Sequence, residues 1–139
     1  MFANTLERRI EWGDCDPAGI VFNPKFFSFF DHSTAMLYEA AGLPKPKLVK
    51  DYNGVGFPLV ETKAVFKAPC SHGDDVSITS TVTDVRGSSF DVHHQLFKQD
   101  RLCVEGFETR VWTVRDNETG RIKSAPLPPP LAEKFRDGN

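Results

Sequence analysis

No surplus of basic residues is present in this chain. Its 17 Lys and Arg are set against 19 Asp and Glu, for a formal net charge of -2. A nucleic-acid-binding surface, which needs a cationic face, is therefore not expected. No apolar run approaches the length of a membrane span, and the N-terminus reaches Glu7, Arg8 and Arg9 without the apolar stretch of a signal peptide. Cysteine is scarce: Cys15, Cys70 and Cys103 are odd in number and show no metal-ligand spacing. Free thiols in a reducing compartment, and hence a cytoplasmic location, are the expectation. Equally absent are a Gly-x-Ser-x-Gly elbow, a His-Glu-x-x-His pair and a phosphate-binding loop. Gly54-Val55-Gly56 is too short to stand in for one and reads as an ordinary loop. The histidines His32, His72, His93 and His94 have no metal-binding pattern, and the adjacent pair reads as surface or core strand positions. No metal site is expected.

What is there fits one domain spanning residues 1–139, with 40% hydrophobic and 26% charged residues. Twelve Phe residues imply a large apolar core, a subunit interface, or both. Thr5–Trp12 reads as a first strand with Leu6, Ile10 and Trp12 on one face. A Gly/Asp/Pro-rich loop, Gly13–Gly19, follows. The period then changes: Phe26, Phe29, Phe30, Ser33, Met36, Leu37, Ala40 and Ala41 recur at three and four residues, which predicts an amphipathic helix. Asn23 suits the N-cap and Pro24 the first helical position, while Gly42 suits C′ and Pro44 blocks continuation. Lys45–Gly56 reads as loop with room for a short helical turn. Beyond it lie four strand candidates, Phe57–Lys67, Asp75–Val85, Ser89–Lys98 and Leu102–Val114. Arg86-Gly87-Ser88 and Gln99-Asp100-Arg101 are short enough for hairpin turns, so neighbours should be antiparallel. Pro126, Pro128, Pro129 and Pro130 should end the sheet and lead into a short helix or tail. The fold class is α+β: a curved antiparallel sheet around one Phe-rich helix, with an edge on which a second subunit could pair.

The loop before the helix holds Asp14 and Asp16. Asp and Pro are ordinary turn residues, so the loop alone signals a turn. Cys15 between two carboxylates is a poor nucleophile, because neighbouring negative charge disfavours the thiolate. The whole segment Trp12-Gly13-Asp14-Cys15-Asp16-Pro17-Ala18-Gly19-Ile20-Val21-Phe22-Asn23-Pro24-Lys25-Phe26 resembles the active-site segment of the 4-hydroxybenzoyl-CoA thioesterase family. It is also similar to the Asp-x-Asp-x-x-Gly-x-Val pattern of the tol-pal-associated thioesterases. Ala68-Pro69-Cys70-Ser71-His72-Gly73-Asp74 resembles the family's turn before its third strand, and the order of elements matches over nearly the whole chain.

The resemblance implies a hotdog fold with active sites at a dimer interface, commonly in tetramers, so a homodimer or homotetramer is expected. It implies hydrolysis of an aromatic acyl-CoA with no cofactor, coenzyme A being part of the substrate. Asp16 takes the position of the catalytic carboxylate, as nucleophile or general base. Asp14 is left to shape the loop. The backbone N–H at Asn23 takes the position of the oxyanion donor, where relatives often carry Tyr or His. A helix start offers unpaired N–H groups and a positive dipole end, which suits an oxyanion. Asp31, flanked by Phe27 and Phe30, matches a carboxylate that meets a phenol hydroxyl; otherwise it is a solvent-facing acid. Glu61 is a candidate second carboxylate if its strand faces the pocket. Arg86, Arg121 and Lys123 match positions that contact the phosphates of coenzyme A. Two other readings stand beside this one: a thioesterase for short aliphatic acyl-CoA or acyl-carrier-protein substrates, and a non-catalytic acyl-CoA-binding protein of the same fold.

Overall fold

The computed structural model describes residues 1–138. In chain order its elements are strand β1 (Ala3–Arg9), a 3₁₀ turn (Trp12–Asp14), helices α1 (Pro24–Ala40) and α2 (Lys45–Asp51), strands β2 (Gly54–Gly56), β3 (Leu59–Phe66), β4 (Asp75–Val85), β5 (Ser89–Lys98), β6 (Arg101–Val111), β7 (Thr113–Arg115) and β8 (Ile122–Ser124), and helix α3 (Pro129–Asp137). The main sheet has five strands in the order β1-β4-β5-β6-β3, and every pairing is antiparallel. The small strands form a second sheet, β2-β7-β8.

Helix α1 forms where the 3.6-residue period predicts it. Pro24 occupies the first helical position. The buried face is Phe26, Phe29, Phe30, Ser33, Thr34, Leu37 and Tyr38. At its far end Gly42 has φ of 77°, Gly42 donates to the Glu39 carbonyl and Leu43 to the Tyr38 carbonyl, both at 2.9 Å. That pair of bonds closes the helix with a left-handed residue that glycine adopts without steric cost.

Three expectations shift. The first strand ends at Arg9, and Trp12 is 67% exposed instead of sharing a face with the buried Ile10. The cause is the 3₁₀ turn, which rotates the chain off the strand period. The last long strand breaks in two at the buried Trp112, whose N–H donates to the Ser88 carbonyl and whose carbonyl accepts from Ala125. The segment after α1, read as loop with room for a short helical turn, holds the seven-residue helix α2 and also the strand β2. The proline run leads into α3, which buries Leu131, Ala132 and Phe135.

The core has two apolar halves. One surrounds the start of α1, with Phe26, Phe29 and Phe30 against Val76, Ile78, Leu96 and Val104. The other surrounds its end, with Leu37 and Tyr38 against Phe57, Phe90, Trp112 and Phe135. Between them lies a polar layer. Ser80, His94, Glu108 and Thr34 are each at most 4% exposed. The Thr34 hydroxyl donates to Glu108 Oε1 at 2.6 Å, His94 Nε2 lies 3.3 Å from Glu108 Oε2, and His94 Nδ1 meets Ser80 Oγ at 2.6 Å. Arg110 Nε donates to Glu108 Oε1 at 2.8 Å. Burial alone would raise the Glu108 carboxyl, but hydrogen bonds from His94 and Arg110 outweigh it and hold the group at about 2. The Phe30 ring stacks on His94 with centroids 4.9 Å apart and rests on Gly106, where an added Cβ would lie 2.5 Å from that ring.

Two outcomes follow from this packing. Gly106→Ala should destabilise the protein by about 1–3 kcal/mol through overpacking, read from urea denaturation; a midpoint equal to that of the wild type would refute the close approach. Glu108 has a folded value below its ordinary 4.5, so its stabilising contribution is complete above 4.5 and is lost as pH falls toward about 2. Stability of the wild type should therefore drop more steeply across that window than stability of Glu108→Gln. Parallel pH profiles for the two proteins would show that the carboxylate is not held in this way.

Candidate active site

The loop between β1 and α1 is a miniature hairpin. Cys15 bridges Val21, and the Asp16 N–H donates to the Ile20 carbonyl at 2.9 Å. Gly19 turns it with φ of 84°. A second bridge joins Ile20 to Ser71, and Val21 N–H donates to the Cys70 carbonyl at 2.9 Å, so the loop is sewn to the turn between β3 and β4. The resemblance to a family turn at Ala68–Asp74 thus falls on the segment that supports the loop.

The two aspartates have different surroundings. Asp14 is 8% exposed; its Oδ2 accepts from the Glu11 N–H at 2.9 Å and lies 3.6 Å from Arg8 Nη2, and its carbonyl accepts from the Phe22 N–H. Arg8 in turn lies over the Phe29 ring, 4.0 Å from its centroid. Asp14 is spent on holding the loop to β1 and to the entry of α1. Asp16 is half-buried, and its Oδ1 accepts from the Ala18 N–H at 2.8 Å, an Asx turn that fixes the side-chain rotamer. Among the described residues nothing donates to its Oδ2, so that oxygen is free for chemistry.

At the helix start the donors can be counted one by one. Pro24 has no N–H. Lys25 donates to the Phe22 carbonyl at 2.8 Å and Phe26 to the Asn23 carbonyl at 3.1 Å. The N–H of Asn23 has no acceptor among the described residues. Asn23 sits at the N-cap position, but its side chain makes no capping bond. Its backbone is already helical (φ -47°, ψ -44°), whereas a capping side chain needs an extended backbone to reach back. Beside it opens a cavity of about 260 Å³, lined by Ile20, Val21, Asn23, Phe26 and the segment Phe66–Cys70. The residues that make this wall come from the loop, from α1 and from the end of β3, which is why Phe26 and Phe66 escaped sequence reasoning: only the fold brings them to within 5.8 Å of each other.

Asp31 lies on the exposed side of α1, where its Oδ1 accepts from Arg110 Nη2 at 2.8 Å. Phe27, one turn earlier on the same side, is 37% exposed. Phe30 is turned the other way: at 1% exposure it is core, against His94, and does not flank Asp31 on the surface as expected. Glu61 does not join these residues. Its register partner is Thr109, whereas the helix-facing pairs are Thr62 with Glu108 and Ala64 with Gly106. Glu61 therefore faces away from α1, beside a separate hollow with Thr83, Asp91, Phe107 and Thr109.

The three basic candidates lie at the opposite end of the subunit, near the end of α1. Arg86 is already committed: it donates to Asp84 Oδ2 at 2.6 Å, to both oxygens of Asp91 at 2.6 and 2.9 Å, and to Ser89 Oγ. Hydrogen bonding to Asp91 raises its already high value further. Lys123 Nζ contacts Asp116 at 3.2 Å. Arg121 is exposed. No group of three or more His, Cys, Asp or Glu among the described residues could hold a metal ion, and no helix is long and apolar enough to cross a membrane.

Arg110, Glu108, His94 and Thr34 were not singled out as site residues. A signal for them exists. In Phe90, Val92, His94, Leu96 the histidine falls on the apolar face of an alternating strand, and Glu108 and Arg110 fall on the same face as Val104 and Gly106.

Comparison with known proteins shows the family to which this fold belongs. Residues 10–135 match the family model of the thioesterase-like superfamily. Over 130 residues the chain is 31% identical to the 4-hydroxybenzoyl-CoA thioesterase of Pseudomonas sp. (strain CBS-3), covering 89% of this chain and 91% of that one. The solved structure of that enzyme superposes with a TM-score of 0.87 over 96% of this chain and 99% of that one, at 29% identity. A solved gentisyl-coenzyme A thioesterase superposes with a TM-score of 0.81 over 96% of this chain and 99% of that one, at 30% identity. A 1,4-dihydroxy-2-naphthoyl-CoA hydrolase of Crocosphaera subtropica is 26% identical over 98 residues, 70% of this chain and 71% of that one. The loop, the helix start and the wrapped sheet thus have a common origin with these enzymes: the chain belongs to the thioesterase-like superfamily and is a hotdog-fold thioesterase.

Proposed function

We propose that this thioesterase hydrolyses an acyl-CoA whose acyl group is an aromatic ring bearing a hydroxyl, releasing the free acid and coenzyme A. The observation that carries the proposal is the alignment of three groups along the start of α1. The Asn23 N–H is unpaired at the helix start, the unsatisfied Asp16 oxygen lies on the loop that leads into it, and Asp31 lies two turns farther on. Asn23, Phe27 and Asp31 follow one another at four-residue spacing and so share a stripe of the helix. Eight residues of helix span roughly 12 Å, about the length of a benzoyl unit with one hydrogen bond at each end.

In this arrangement the thioester carbonyl accepts from the Asn23 N–H, where the positive end of α1 stabilises the developing oxyanion. The Phe27 ring lies beside the aryl group, and the ring hydroxyl donates to Asp31. Asp16 supplies the carboxylate. As a nucleophile its Oδ2 adds to the carbonyl carbon, coenzyme A leaves as the thiolate, and water cleaves the resulting anhydride. As a general base it takes a proton from water, whose oxygen adds in its place. Either route needs an aspartate at this position, and neither uses a titrating group at Asn23.

A single subunit leaves the site open. β3 is a sheet edge whose Leu59, Val60, Val65 and Phe66 are 43%, 66%, 42% and 48% exposed. An exposed apolar edge of this kind pairs with another strand, and a twofold β3–β3 pairing makes a dimer, the unit from which a tetramer is built. Because such a pairing is antiparallel, it carries the partner's far end, with its Arg121 and Lys123, toward the loop of the first subunit. That is the place for the phosphates of coenzyme A; Arg86, already neutralised by Asp84 and Asp91, is the weakest of the three candidates. The three free cysteines fit a reducing, cytoplasmic setting.

The reaction class and substrate are checked together by assaying 4-hydroxybenzoyl-, gentisyl-, 1,4-dihydroxy-2-naphthoyl-, benzoyl- and short-chain acyl-CoA, with an acyl-carrier-protein thioester alongside. Highest kcat/KM is expected for a hydroxylated aryl substrate. A preference for aliphatic chains or for the carrier protein, or binding of coenzyme A without turnover, would overturn the reading. Asp16→Asn and Asp16→Ala should lower kcat by about 10²–10⁴-fold while circular dichroism is unchanged; near-wild-type turnover in either folded variant would remove Asp16 from the chemistry. Val60→Asp on the β3 edge should yield monomers in light scattering together with lost activity, and an unaltered oligomer would place the subunit contact elsewhere.

A further inference from the structure

An arginine side chain that is 9% exposed reaches out of the core to hold an aspartate side chain that is 68% exposed. Arg110 uses its donors in three directions: Nε to Glu108 Oε1 at 2.8 Å, Nη1 to the Phe57 carbonyl at 3.0 Å, and Nη2 to Asp31 Oδ1 at 2.8 Å. The planar fork cannot turn toward one acceptor without leaving the others. Glu108 is itself fixed by Thr34 and His94, and His94 by Ser80. A continuous set of hydrogen bonds therefore runs from β4 through β5 and β6 to the outer face of α1. The bond to Glu108 accounts for a cation in the core, but a pair whose carboxylate is this exposed adds little to stability, so stability does not account for the bond to Asp31. Its geometric effect on Asp31 does. An unrestrained aspartate on an open helix face samples several rotamers. Arg110 occupies Oδ1, and among the described residues nothing donates to Oδ2.

We propose that Arg110 is the positioning residue for Asp31, and that the Arg110–Asp31 pair sets the preference for a ring hydroxyl over an unsubstituted ring. This rests on the reading that Asp31 meets the acyl group. An ionised carboxylate only accepts hydrogen bonds. A hydroxyl pointing at the fixed Oδ2 satisfies it, while a bare ring edge strips water from that oxygen and gives nothing back. The penalty is felt only if the carboxylate cannot swing away, and Arg110 prevents the swing.

The readout is the ratio of kcat/KM for 4-hydroxybenzoyl-CoA to that for benzoyl-CoA, measured in the wild type, Asp31→Asn, Arg110→Met, Arg110→Lys and the Asp31→Asn/Arg110→Met double variant. General damage to the fold lowers both terms and leaves the ratio alone. The wild-type ratio should exceed about tenfold, the size of one hydrogen bond to a charged group. It should fall toward one in Asp31→Asn and in Arg110→Met, and no further in the double variant, since both changes remove one device. In Arg110→Lys it should fall partway, because an ammonium cannot span the three acceptors. If Arg110→Met does not fold, Arg110→Lys decides, and a wild-type ratio there overturns the inference. Loss of the preference in Asp31→Asn with retention in the Arg110 variants overturns the role of Arg110 alone. A wild-type ratio near one, or one that survives Asp31→Asn, overturns the reading of the acyl site and this inference with it.

Discussion

The buried carboxylate of Glu108 is the constraint around which the subunit is arranged. Apolar contacts in the two halves of the core hold α1 against the sheet, but such contacts are non-directional and tolerate sliding. A hydrogen-bonded carboxylate does not. Glu108 can be buried only if Thr34, His94 and Arg110 all reach it. That condition fixes the helix both along its axis and in rotation. Phe30 must then lie over His94, position 106 must be glycine to receive its ring, and Asp31 must emerge beside Arg110. The layer is an arrangement that is costly to break by removing one member, because the others would be left buried and unpaired.

Once α1 is fixed, its start is fixed too, and that is where we propose the chemistry takes place. The loop that precedes it is held from three sides: by Asp14 to β1, by Ile20 and Val21 to the turn before β4, and by the Asp16–Ala18 turn within itself. Two aspartates two residues apart thereby receive opposite tasks. The buried one is consumed by the Glu11 N–H and Arg8, and the half-buried one keeps an oxygen free. Pro24 sharpens the arrangement by removing one donor from the helix start, so that the N–H left over belongs to Asn23.

Much of this was legible beforehand for identifiable reasons. The helix announced itself through period and end signals, and the strands through alternation and short turns; these are local properties, readable in a window of ten or so residues. The resemblance of residues 12–26 to a thioesterase signature reached the family and singled out Asp16. Less was legible where a decision depends on distant partners. Extending the strand period past Arg9 puts Trp12 on one face with Leu6 and Ile10, but the turn closed by Asp14 ends that period. Adjacency in sequence groups Phe30 with Asp31, although neighbours on a helix point about 100° apart. The face occupied by Glu61 follows from a register shift in β3 between Leu59 and Glu61, which no local pattern shows.

The amino-acid sequence by itself determined that this chain makes one long capped helix, an antiparallel meander and a thioesterase-type loop, because those follow from periodicity, from the backbone preferences of Gly and Pro, and from a contiguous motif. Only the tertiary structure decided which charges are buried together, which carboxylate keeps a free oxygen, and that Arg110 holds Asp31 across 79 residues of sequence. The reason is physical. Local preferences act over a few residues, whereas satisfying a buried charge requires donors from several elements at once, and their meeting is a property of the folded sheet and helix alone.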